Sequence, residues 1–152
     1  MTKLAPLTVV FALLLTMGLV GCSSSNDKAK TESITVVAAD SLKGPFTEIG
    51  ERFKSDNPGA SVEFTFGNSA DLVLQLVQGT RADVFASEDR NDMVKADQAE
   101  LVDGKPVEFG GQSYYIAVLK DSANPTLAKK FVDLVTGEYG QKALSEAGIA
   151  KP

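Results

Sequence analysis

ITVVAADSLKGPFTEIGERFKSDNPGASVEFTFGNSADLVLQLVQGTRADVFAS, residues 34–87, alternates apolar strands with helical stretches, and that alternation decides the fold. ITVVA (34–38) is a continuous β-rich run, as expected of a strand buried on both faces. In the stretch that follows, Leu42, Phe46, Ile49, Gly50 and Phe53 fall at spacings of three and four, which is one helical face. Pro45 is tolerated in a first turn, and Asn57-Pro58-Gly59 stops the helix. SVEFTF (61–66) sets Val62, Phe64 and Phe66 against polar neighbours and reads as a half-buried strand. Leu72, Val73, Leu76 and Val77 then form a helical stripe ending at Gly79, and ADVFAS (82–87) is a third strand. Three strands joined by two helices through short connections predict an α/β fold with right-handed crossovers and a parallel sheet covered by helices.

Outward toward the C-terminus, a weaker helix is expected from about Asp89 to Ala99, with Met93, Val94 and Ala96 as its apolar part. QSYYIAVLK (112–120) reads as another strand. Two closing helices follow, one lined by Leu127, Ala128, Phe131, Val132, Leu134 and Val135, the other by Tyr139, Ala143 and Leu144. Gly137 and Gly148 stand where C-terminal caps are expected.

Outward toward the N-terminus, residues 1–21 carry one early cation, Lys3, then a long uncharged apolar run, the pattern of a secretory signal. The run is short for a membrane span of about 20 residues and ends in small residues. Leu19-Val20-Gly21-Cys22 resembles the bacterial lipobox, in which the Cys becomes the lipidated first residue. Lipid attachment at Cys22 is therefore expected, with residues 22–33, small and polar, as a flexible tether. The folded part is expected over 34–152: βα units over 34–109, a short junction at 110–111, and a closing strand with helices over 112–152.

The inventory excludes several kinds of chemistry. The net charge is −5 and no basic tract is present, which argues against a nucleic-acid partner. There is no His, and the single Cys is the expected anchor. Imidazole metal sites, disulfides and His-based triads are thus unavailable, and no enzymatic activity is expected.

In open α/β sheets ligands bind beyond the carboxyl ends of the strands. Two turns there are rich in small polar groups: AADSL (38–42) and FGNSADL (66–72). Each places a Ser beside a helix start, where N–H groups lack intrahelical partners and the dipole favours an anion. Ser and Asn are also the preferred N-cap residues, so each turn fits a helix cap as well as an oxyanion cradle. Asp40 and Asp71 flank the two turns, and Asp71 can serve its own helix by facing outward in the first turn. Asp83 and Asp89 are expected to be solvated or capping, and strand alternation puts at least one of Tyr114 and Tyr115 in the core.

Together these motifs resemble the bacterial molybdate-binding proteins, the extracytoplasmic solute-binding subunits of molybdate ABC transporters. The resemblance lies in Ala-Ala-x-Ser-Leu, Asn-Pro-Gly, the Phe-x-Phe strand, and Gln-x-Gly followed by Ala-Asp-Val-Phe-Ala-Ser; it returns in residues 114–152. It implies a parallel-sheet-based lobe like those of the type II periplasmic binding proteins. It further implies that Ser41 and Ser69, with the Ser69 N–H and Asn68, contact molybdate or tungstate through neutral hydrogen bonds. The implied partners are an ABC permease and, through Cys22, the membrane. Asp40 and Asn68 replace smaller residues of the family pattern. Family members also carry a second lobe that completes the pocket, whereas here ELVDGKPVEF runs through Gly110-Gly111 directly into QSYYIAVLK. Two functions follow as expectations: a lipid-anchored, extracytoplasmic oxyanion-binding component of an importer, or a non-binding single-lobe fragment or interaction module of the same family.

Overall fold

Val36, Val37, Ala38 and Ala39 are all nearly or fully buried, as befits a strand covered on both sides. They belong to β1 (Glu32–Ala39), which begins two residues before the expected start at Ile34 and pairs from Glu32 onward. The computed structural model describes residues 32–111 and 113–149. The expected signal 1–21, Cys22 and the first part of the expected tether, through Thr31, lie outside the described residues.

A single 3-10 turn (Asp40–Leu42) leads into α1 (Lys43–Asp56), then β2 (Ala60–Gly67), α2 (Ser69–Val77), β3 (Val84–Ser87) and α3 (Arg90–Gln98). β4 (Val107–Phe109), β5 (Tyr114–Val118), α4 (Pro125–Thr136) and α5 (Glu138–Glu146) complete the order. The sheet runs β2-β1-β3-β5-β4. β1 pairs in parallel with β2 and with β3, matching the pattern read from residues 34–87.

The rest of the sheet is antiparallel. β5 is antiparallel to β3 and to β4, a three-residue strand that sequence patterning did not single out. The cause is the connection. Phe109 and Tyr114 face each other across a four-residue turn, too short for a crossover, so the chain must reverse. Gly110 and Gly111 make that reversal with φ of +61° and +73°, the left-handed region that glycine enters without a Cβ clash.

Each face of the sheet has its own apolar cluster. Ile34, Val36 and Ala38 pack with α1, α4 and α5, where Phe46, Phe53 and Phe131 are buried. Val37 and Phe85 pack with α2 and α3 through Leu72, Val73, Leu76, Met93 and Ala96. Val77 and Val94, read as part of the helical stripes, are instead 52% and 41% exposed. Gly148 has the left-handed φ of +77° expected after a helix, but Gly137 is extended (φ −78°, ψ −179°). Its small size has another reason: a Cβ there would lie 2.9 Å from the Asp133 carbonyl oxygen.

Candidate functional site

The strand order places β1 between β2 and β3, so the chain leaves β1 for one side and later returns to the other. The carboxyl ends of these strands are where an open α/β sheet offers a crevice. Three turns meet there: Asp40–Leu42 after β1, Asn68–Ser69 after β2, and Ser87-Glu88-Asp89 after β3.

Ser41 is exposed on the 3-10 turn. Its hydroxyl donates to the Glu88 carboxylate at 2.6 Å, and the Tyr114 hydroxyl donates to Ser41 Oγ at 3.4 Å. Ser69 is the first residue of α2 and is buried; its Oγ accepts the Glu88 backbone N–H at 3.2 Å. The two serines named from sequence thus converge on one residue, Glu88. Ser87 holds that residue in place, since its hydroxyl donates to the Asp89 carbonyl (2.7 Å) and accepts the Asp89 N–H (3.0 Å).

Asn68 has a separate role. It is the N-cap of α2, and its Oδ1 accepts the Ala70 N–H at 3.0 Å. The N–H groups of Ser69 and Asp71 have no intrahelical acceptor, because they lie in the first turn. Asn68→Ala should remove the cap and lower stability by about 1 kcal/mol, a shift of a few degrees in melting temperature. An unchanged melting curve would show that the cap contributes nothing.

Asp71 and Asp89 stand as their reading in sequence expects, and Asp83 does not. Asp40 and Asp71 are exposed in first turns, and Asp89 caps α3 by accepting the Asn91 N–H at 2.6 Å. Asp83 is neither solvated nor a helix cap. It is 6% exposed at the opposite end of β3, where it accepts the Thr35 N–H (2.8 Å), the Ser122 hydroxyl (2.5 Å) and the Asn124 N–H (3.3 Å). It ties β1 and β3 to the loop before α4.

Both tyrosines are half-buried, on opposite faces. Tyr114 packs beside Phe109 with its hydroxyl at Ser41. Tyr115 joins the second cluster and donates to Glu108 at 3.1 Å. Burial pushes the Tyr115 phenol up, and the Glu108 carboxylate adds to the shift.

Glu88 is the residue sequence reasoning missed. The signal for it is its position directly after β3, at the carboxyl edge of the sheet. Among the described residues no group of three or more His, Cys, Asp or Glu could hold a metal ion, and no helix is long and apolar enough to cross a membrane. What the turns offer is hydroxyls and backbone N–H groups around one exposed edge.

Comparison with known proteins bears on that edge. The molybdate-binding protein ModA of Mycobacterium tuberculosis (strain ATCC 25618 / H37Rv) is 38% identical over 134 residues, covering 84% of this chain and 51% of ModA. The chain spans about half the length of the curated relatives it matches. Among solved structures, the periplasmic molybdate-binding protein of Azotobacter vinelandii aligns with a TM-score of 0.68 at 13% identity, over 78% of this chain and 99% of that one. The sulfate-binding protein SubI of Mycobacterium tuberculosis H37Rv aligns with a TM-score of 0.67 at 13% identity, over 77% and 86%. At such identities the likeness is one of fold. The family model for bacterial extracellular solute-binding proteins matches residues 34–114, the span that contains all three turns and most of the sheet. The chain belongs to that family, whose members bind solutes and are not enzymes.

Proposed function

We propose that the chain is the oxyanion-binding component of an ABC importer, taking molybdate or tungstate, held outside the cytoplasmic membrane by a lipid on Cys22 and presented to a permease. The observation that carries the ligand side is the convergence of Ser41 and Ser69, from separate βα units, on Glu88 and its turn. A tetrahedral oxyanion needs several donors pointing at a small volume, and first-turn N–H groups with two hydroxyls supply that kind of array. In this reading Ser41 and Ser69 contact the anion through Oγ, the Ser69 N–H adds a donor, and Asn68 contributes its amide nitrogen while its oxygen caps α2. The mycobacterial relative's name supports molybdate, and the Leu-x-Gly-Cys motif supports the lipid.

Among the described residues no Lys or Arg bonds to Ser41, Ser69 or Asn68, so affinity depends on neutral donors. Each hydrogen bond to a charged group contributes about 1.5–3 kcal/mol, and tenfold in affinity is about 1.4 kcal/mol. Ser41→Ala and Ser69→Ala should therefore each weaken molybdate binding by on the order of ten- to a hundredfold in calorimetric titration. Titrations with molybdate, tungstate and sulfate rank the ligands. Absence of heat and of thermal shift with all three anions would overturn oxyanion binding and leave the non-binding module.

A further inference from the structure

We propose that Glu88 sets the charge selectivity of the Ser41–Ser69 cradle: its carboxylate is a built-in competitor that an oxyanion must displace, and it penalises doubly charged tetrahedral anions more than singly charged ones. The inference rests on the oxyanion reading above and adds the residue that grades its ligands.

A serine hydroxyl has one proton to donate. That of Ser41 is given to the Glu88 carboxylate at 2.6 Å, within the range of a charge-assisted bond. It is the same proton that Ser41 would give an oxyanion, so the two occupancies exclude each other. The Glu88 backbone cannot retreat without breaking its N–H bond to Ser69 Oγ, and the Ser87–Asp89 knot fixes the turn around it. Rotation of the side chain is the movement left, and it keeps the charge within one side-chain length of the cradle. Among the described residues no Lys or Arg nitrogen lies within 4.0 Å of that carboxylate to neutralise it.

Repulsion from a fixed charge scales with the charge of the ligand. Molybdate and perrhenate are tetrahedral oxyanions of similar size carrying two charges and one. A unit charge about 5 Å away in water-like dielectric changes the affinity of a monoanion about fourfold, and of a dianion by the square of that, about sixteenfold. Glu88→Gln keeps the side chain's shape and its capacity to accept from Ser41 while removing the charge.

The test is titration of the purified full chain and of Glu88→Gln with molybdate and with perrhenate at low ionic strength, where exposed charges are least screened. The expected result is tighter binding in the variant, about sixteenfold for molybdate and about fourfold for perrhenate. Molybdate binding that is measurable only in the variant is the same result. Equal gains for the two anions, no gain, or a loss would overturn the role of Glu88 while wild-type binding that falls in Ser69→Ala still upholds the oxyanion reading. If neither protein binds either anion, the oxyanion reading and this inference fall together. Melting curves of both proteins check that each is folded.

Discussion

Phe131→Ala is expected to lower the stability of the folded chain by about 3–5 kcal/mol, the usual cost of emptying a large aromatic site in a packed core. Phe131 is fully buried on α4 and is the meeting point of three elements. Its ring stands edge-on to Phe46 (5.8 Å, 80°) and to Phe53 (5.5 Å, 76°) of α1, and tilted against Phe64 of β2 at 5.9 Å. Each such pair adds about 0.5–1.5 kcal/mol beyond area burial, so the truncation removes pair geometry as well as volume. For a domain of this size the loss corresponds to a fall in melting temperature of roughly 12–20 °C. Phe131→Leu should fall between, because it restores most of the volume and none of the ring contacts. A loss below 1 kcal/mol for the alanine variant would show that α4 does not pack as described.

Asp83→Ala is the second large effect, expected at about 3 kcal/mol or more. The carboxylate satisfies three donors, two of them backbone N–H groups, at the end of the sheet away from the serines. Removing it strands the half-buried Thr35 N–H, and an unsatisfied buried donor costs about 1–3 kcal/mol before any other loss is counted. Asp83→Asn is informative because every partner is a donor. An amide must turn its NH2 toward either Thr35 or the Ser122–Asn124 side, so the asparagine variant should lie between wild type and alanine. Urea unfolding of the three proteins gives the order. An asparagine variant as stable as wild type would mean that one oxygen of the carboxylate does nothing. Molybdate affinity should be unchanged in Asp83→Asn, since the residue sits at the opposite end of β3 from Glu88.

Much of this architecture is legible in local pattern. Period-two and period-3.6 spacing over residues 34–87 identify three strands and two helices, and Asn57-Pro58-Gly59 marks a real helix stop, with Asn57 N–H bonded to the Phe53 carbonyl. Pattern failed where geometry is set by partners distant in sequence. VEF (107–109) is too short to carry a period, and becomes a strand because the Gly110-Gly111 turn brings Tyr114–Ile116 alongside it. Asp83 reads in sequence as a solvated or capping residue because nothing nearby announces Ser122 and Asn124. The serine turns were visible because each carries its own local signature of small polar residues at a helix start. Glu88 was not, since its role depends on strand order: with β1 in the centre, the turn after β3 belongs to the same edge as the turns after β1 and β2.

The β4–β5 hairpin has a consequence for modularity. Its facing residues, Phe109 and Tyr114, are neighbours across one antiparallel pair, where Cα atoms sit about 4.5–5.5 Å apart. A chain leaving at Phe109 and returning at Tyr114 therefore departs and re-enters through a single narrow port, whatever lies between. Loop-closure entropy grows only as the logarithm of length, so lengthening this turn from four residues to about a hundred adds about 3 kcal/mol. The sheet and both of its apolar faces are complete on the near side of that port. An entire additional globule spliced there would leave every strand of this one in register.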